Sequence, residues 1–212
     1  MIKKLFEKKK LILWVIAFAV FSAITFEMMN RPFGVVRNLK IGFDDKIPFI
    51  KEMIFTYHSF MPYLILGGLI FLALDEREYK KYVIALFANQ LLAYVIFYFF
   101  QTQVPRYDTN LLGNDIASEF VKLTYKVDGH FSGFPSLHVA NMTTLAIYAW
   151  RAKIKMGPKV LMIAYAALVA ATTVLVKQHV VMDGFGGLIH AAVIYLIVEA
   201  YFNKKKIGET LS

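Results

Sequence analysis

Apolar residues gather into six blocks along the chain: about Leu11 to Met29, Tyr57 to Leu74, Tyr82 to Phe100, Pro135 to Trp150, Pro158 to Val176 and Val180 to Phe202. Blocks of roughly 17 to 20 apolar residues match the ~30 Å needed to cross a hydrocarbon core at ~1.5 Å per residue. Only helices and closed barrels satisfy their backbone in lipid, so the blocks predict an all-α integral membrane protein of six transmembrane helices in one bundle. The first block follows a Lys-rich start. It is too long for a signal h-region and lacks a small-x-small cleavage site, so it predicts an uncleaved anchor. No internal repeat, low-complexity segment or linker breaks the pattern, and residues 1–212 read as a single membrane domain.

Composition narrows the class further. The chain has 212 residues, 58% hydrophobic and 18% charged, with mean hydropathy +0.53. A soluble enzyme, a disordered chain and a secreted disulfide scaffold are excluded. The absence of cysteine excludes thiol nucleophiles, Cys-ligated zinc and iron–sulfur clusters. The net charge of +9 bears on orientation in the membrane and implies no nucleic-acid partner. The N-terminal lysines including Lys3 and Lys4, the segments around Arg77–Lys81 and Arg151–Lys159, and Lys204–Lys206 put 15 basic residues on one side, against 9 on the other. Both termini are therefore expected in the cytoplasm of a cell-membrane protein. The opposite loops, Asn30–Thr56 and Gln101–Phe134, are long and mixed in charge, and long loops usually carry function. The first of them scatters Phe33, Ile41, Phe43, Phe49 and Ile50 among charges. It reads equally as a segment lying apolar side down in the interface or as a loop packed over the helix ends.

Three segments carry candidate chemistry, all at the outer ends of their spans. Gly133-Phe134-Pro135-Ser136-Leu137-His138 opens the fourth span. Pro suits the first turn of a helix, whose free N–H groups and dipole attract phosphate; Ser136 adds a hydroxyl donor. The alternative is a plain helix start with a chance histidine. Lys177-Gln178-His179-Val180-Val181-Met182-Asp183 joins the fifth and sixth spans. His179 and Asp183 are four apart, so the carboxylate is expected to hold one imidazole nitrogen and raise the basicity of the other. The alternative is a structural pair, but ionisable groups at membrane depth default to function. Gln101-Thr102-Gln103-Val104-Pro105-Arg106 ends the third span. A guanidinium, an ammonium, a hydroxyl, two imidazoles and a carboxylate at one level suit a phosphate ester: cations neutralise its oxygens, one His attacks and the other protonates the leaving oxygen.

With Phe-Pro-Ser-Leu-His-Val-Ala (134–140) and Lys-Gln-His-x-x-x-Asp-Gly (177–184) in place, the chain resembles the type-2 phosphatidic-acid phosphatase superfamily. It is most similar to the inositol-phosphoceramide synthase branch, whose motif also reads Pro-Ser-Leu-His. The outer Asp-Lys-Ile-Pro-Phe segment (45–49) points the same way. The resemblance implies that His179 forms a phosphohistidine and that Asp183 orients it. It also implies that His138 is the general acid, and that Ser136 and Arg106 bind phosphate. Two positions depart from the family: Phe99 replaces a Lys seven residues before Arg106, and Thr173 replaces an Arg six before His179. Lys177, a helical turn beyond Thr173, is expected to take the Arg's place as a point charge. Gln101 or Gln103 is expected to donate where the Lys is absent.

Other polar residues have plainer readings. His190 is expected to bond between helices, His130 to be solvated and His58 to be structural, while Asn89 and Gln90 bridge helices. Gly184, Gly186 and Gly187 are expected to let the sixth helix approach the fourth. No metal site and no cofactor is expected, since paired-Asp and His-x-x-x-His patterns are absent; nothing reports the oligomeric state. The partner is a lipid phosphate drawn from the bilayer to an outer-face site. The expected function is a lipid phosphatase or phosphotransferase cleaving a lipid phosphate ester or anhydride without a metal. The alternatives are transfer to a lipid alcohol in the manner of inositol-phosphoceramide synthase, a proton-coupled transporter or flippase, and a lipid-binding module with dead chemistry. The missing inverted repeats and the clustering of polar groups at one level weigh against transport.

Overall fold

Every apolar block forms a helix, and an additional helix stands where a loop was expected. The computed structural model describes residues 8–211, with side chains through Lys204; Lys3 and Lys4 lie outside the described residues. The order is α1 (Lys9–Met29), β1 (Arg37–Asn38), a 3-10 turn (Lys51–Met53), α2 (Ile54–His58), α3 (Phe60–Leu74), α4 (Glu76–Phe99), β2 (Thr102–Gln103), α5 (Ile116–Val127), α6 (Leu137–Arg151), α7 (Met156–Leu175) and α8 (Val181–Leu211).

Among the described residues, five helical runs are long and apolar enough to cross a membrane: Lys9–Met29, Lys51–Leu74, Glu76–Phe99, Met156–Leu175 and Val181–Lys204. The fourth expected span is the exception. Helix α6 has 15 residues, about 22 Å at ~1.5 Å per residue, and it is enclosed by α3, α4, α7 and α8. Pro135 lies before the helix, which starts after Ser136, whose Oγ accepts from the Val139 N–H at 3.3 Å. Helix α4 starts at Glu76, six residues earlier than its apolar block. The Asp75 carboxylate caps it, accepting from the N–H groups of Arg77 and Glu78.

Helix association in lipid rests on close packing and polar staples rather than on the hydrophobic effect. Asn89 Nδ2 donates to Asn141 Oδ1 at 3.0 Å and to Thr144 Oγ1 at 2.9 Å. His190 Nε2 meets the Asn89 carbonyl at 3.0 Å, so both residues bridge helices. Each such bond contributes about 0.6 kcal/mol, up to about 2. At the end of the bundle away from α6's start, buried Lys81 pairs with Glu78 at 3.0 Å and Glu199 at 2.9 Å. Arg151 bonds Glu78 there at 2.8 Å.

At the other end the first long loop is stitched over the helix ends. Arg37–Asn38 pairs in parallel with Thr102–Gln103. Gln101 Nε2 donates to the Arg31 carbonyl at 2.5 Å, and its Oε1 accepts from the Phe33 N–H at 2.7 Å. The Ile50 N–H donates to the carbonyl of Leu175 at 3.0 Å. Asp44 accepts from the N–H groups of Ile41 and Val181 at 2.8 Å each. The loop is thus packed over the helix ends, with Phe33, Ile41 and Phe43 left exposed by 39, 42 and 58%.

Candidate active site

The start of α8 and the start of α6 meet at that stitched end. Helix α7 stops at Leu175, and Lys177 takes a left-handed backbone with φ 52°. The N–H groups of Gln178 and His179 then close on the Thr173 carbonyl at 2.8 and 3.0 Å. His179 thus lies just before α8. Asp183, in the first turn, reaches back: its Oδ2 meets His179 Nδ1 at 3.2 Å and accepts from the Val180 N–H at 3.1 Å. This is half of a capping box, with the negative charge where the helix dipole favours it. With Nδ1 as the donor, the Nε2 lone pair is free.

His138, second in α6, faces this pair. Its ring centroid lies 5.7 Å from that of His179, with the planes at 63°. Tyr57 stacks on it at 4.6 Å and Phe60 packs at 4.2 Å, so aromatic walls from α2 and α3 hold the imidazole. The helices come this close because α8 has glycine where they touch. A Cβ on Gly187 would lie 2.6 Å from the Ser136 carbonyl oxygen.

Arg106 arrives from the second loop. One terminal nitrogen donates to the Tyr125 carbonyl at 2.9 Å, and the other to the Gly129 carbonyl and to Gln178 Oε1, each at 2.9 Å. Burial lowers its pKa, with half-buried Asp128 opposing that shift. At this site two buried donors, Arg106 Nε and Gln178 Nε2, and one buried acceptor, Asp183 Oδ1, remain without a partner. Buried donors in native proteins are normally satisfied. Orphan donors of this kind are the groups an anion cradle would use.

His179 borders two larger cavities. One, about 400 Å³, is lined by residues of α1, α3, α4, α5 and α6, including Phe26, Phe60, Asp128 and His138; none of its lining residues is Lys or Arg. The other, about 380 Å³, lies under the first loop and is lined by Lys40, Asp44, Arg106 and Lys177. A recess of about 10 Å³ beside both histidines is lined by His130, Gly133 and Gln178. Among the described residues, no group of three His, Asp or Glu side chains gathers as a metal site.

The structure therefore brings together His179, Asp183, His138 and Arg106. It gives other tasks to four residues expected to bind phosphate. Ser136 is fully buried as the cap of α6 and lines none of these cavities. Gln101 spends both ends of its amide on the first loop. Gln103 gives its backbone to the strand pair with Asn38 and borders none of these cavities. Lys177 is not on a helix with Thr173, because α7 has already ended. Its Nζ donates to the carbonyls of Asp44 and Ile47 at 3.2 and 2.6 Å, so it anchors the loop while lining the second cavity. Gln178 and Asp128 were not singled out in the sequence. Gln178 stands next to His179 in its motif, and that adjacency was the available signal.

A family model described as the PAP2 superfamily matches residues 33–197. The crystal structure of Aquifex aeolicus LpxE superposes with a TM-score of 0.50 at 18% identity, covering 84% of this chain and 94% of that one; at that identity the likeness is one of fold. Comparison with curated proteins finds no match.

Proposed function

This chain belongs to the PAP2 superfamily, and from that premise we propose that it is a membrane-embedded lipid phosphatase working through a phosphohistidine on His179. The observation that carries the reading is the His179–Asp183 pair, faced by His138 and flanked by the unpartnered donors of Arg106 and Gln178. His179 Nε2 attacks phosphorus, the bond to the lipid oxygen breaks, and His138 gives that oxygen its proton. Asp183 stabilises the imidazolium that forms. Arg106 Nε and Gln178 Nε2 receive the phosphoryl oxygens, where charge develops. Water, deprotonated by His138, then attacks phosphorus and releases phosphate. No step calls on a metal. Arg106 and Lys177 bring positive charge to the second cavity, where Lys40 is paired with Asp45.

A lipid alcohol in place of water would make the protein a phosphotransferase. The 400 Å³ cavity favours this second reading, since it leaves room beside His138 for far more than one water. Both termini lie in the cytoplasm in this proposal and the site faces outside, supported by the basic loops at the far end of the bundle.

The test uses purified protein in vesicles with a labelled lipid phosphate, reading phosphoprotein, free phosphate and new lipids together. An acid-labile, base-stable phosphoprotein is expected, and is lost in His179→Ala. In His138→Ala, release of an ordinary alcohol slows by about 10²- to 10⁴-fold, while a nitrophenyl ester suffers less. Phosphoprotein in the His179 variant would overturn the assignment.

A further inference from the structure

Helix α5 has three faces rather than two. Its buried face holds Ala117, Ser118, Val121 and Thr124, packed against the 3-10 turn and α2. A charged face holds Glu119, Lys122 and Lys126. Between them runs an apolar stripe, Ile116, Phe120, Leu123 and Val127, exposed by 71, 43, 56 and 68%. At 3.6 residues per turn the four lie within about 60° of one another. A stripe this narrow and this exposed is costly in water, and grease beside a lysine-bearing face is the pattern of a helix lying in a membrane interface.

The contacts of α5 set its depth. Its cap Asp115 holds Lys51, where a span begins. Thr124 Oγ1 meets His58 Nε2 at 2.8 Å, and the Tyr125 hydroxyl donates to the Val176 carbonyl at 2.7 Å, just past the end of α7. Asp128, just past the helix, accepts from Asn30 at 2.7 Å, where α1 ends. The anchors of Asp115, Tyr125 and Asp128 are at the ends of spanning helices, the level of the headgroups, and His58 lies seven residues inside the span that begins at Lys51. The stripe also continues onto a spanning surface, since Phe120 packs 5.4 Å from Phe55, itself exposed near the start of its span.

We infer that α5 lies on the bilayer with Ile116, Phe120, Leu123 and Val127 dipped among the acyl chains of the leaflet on the site side. There it frames the doorway by which a lipid reaches the cavity at His138. The doorway follows from Thr124, Val127 and Asp128, which line that cavity. Only this doorway role rests on the catalytic reading above; the membrane seat does not.

The chain has no cysteine, so single Cys residues at 116, 119, 120, 122, 123, 126 and 127 take a spin label cleanly. In phosphatidylcholine vesicles, labels at 116, 120, 123 and 127 are expected to collide with oxygen, and those at 119, 122 and 126 with a water-soluble nickel chelate. Nickel reaching the stripe as readily as the charged face would overturn the proposal. So would labels on the stripe shielded from both reagents, which would mean a second copy or another protein covers it. Ile116→Gln with Leu123→Gln, on the stripe but outside the cavity lining, is expected to slow turnover of a long-chain lipid phosphate in vesicles severalfold, with a short-chain, water-soluble phosphate ester turned over as before. Equal loss on both substrates would remove the doorway role. Unaltered protein inactive on every phosphate ester would overturn the catalytic reading instead, with the label pattern still deciding the seat.

Discussion

The backbone N–H of Ser136 donates to the backbone carbonyl of Asp183 at 3.0 Å, joining the segment that carries His138 to the one that carries His179. Gly187 allows this approach. Gly187→Ala is expected to push α6 from α8 while leaving every reacting group chemically unaltered. A misplacement near 1 Å costs about 10²-fold, so kcat should fall by that order with modest change in KM. Unaltered kcat in a folded variant would show that the spacing of the two histidines does not depend on this contact.

Gln178 offers the sharpest test of the anion cradle. Gln178→Leu removes a buried donor and leaves Arg106 short of one acceptor. Loss of a single preorganised donor costs about 10²- to 10³-fold in kcat. Gln178→Glu keeps the acceptor for Arg106 but sets a negative charge beside the phosphate, so it should fall further than Leu. If Glu outperformed Leu, the residue would be acting only as a partner for Arg106.

Lys177 is expected to matter more for the loop than for phosphate. Hydrogen bonds to a charged group contribute about 1.5–3 kcal/mol, and Lys177→Gln weakens two of them. The variant should unfold at lower temperature and expose residues 31–50 to protease. Unchanged stability with a raised KM would make the ammonium a phosphate ligand after all.

The division between what was legible and what was not follows from the range of each interaction. The apolar blocks and the four-residue spacing of His179 and Asp183 are local, and they appear as read. Lys177 and Gln101 were assigned by charge or motif, but their bonds run to loop and backbone atoms that only the folded chain brings near, whereas Ser136 caps its own helix, a local bond that the motif reading passed over. Gln178 carries no charge to mark it; burial and the lack of a partner single it out. Helix α5 was readable from the spacing of Ile116, Phe120, Leu123 and Val127, yet the charges between them hid it within a long loop. The 15-residue α6 shows the limit of counting apolar residues: a buried helix and a spanning one look alike until their neighbours are known.

Asp128 gives the protein a pH dependence of definite sign. Burial holds its carboxyl above the ordinary value, with Arg106 acting against the shift. Between about 3.9 and that raised value, the folded state keeps a proton that the unfolded chain has lost. Its contribution is therefore full at low pH and declines as pH rises through the window. Thermal unfolding from pH 4 to 7 should show this decline in the natural protein and lose it in Asp128→Asn, which keeps an acceptor for Asn30. A steeper decline in the variant would reverse the argument.

Helix α6 makes bilayer thickness a variable of the reaction. Its length of about 22 Å falls short of a hydrocarbon layer of ~30 Å. Arg151, paired with Glu78, holds its far end near one surface, so the shortfall collects at the end bearing His138. A lipid phosphate must sink several ångströms below its neighbours to be cut, or the leaflet must thin to meet the histidines. Turnover should therefore rise as the host acyl chains shorten at constant substrate, so that the surrounding membrane tunes the rate without binding to the site.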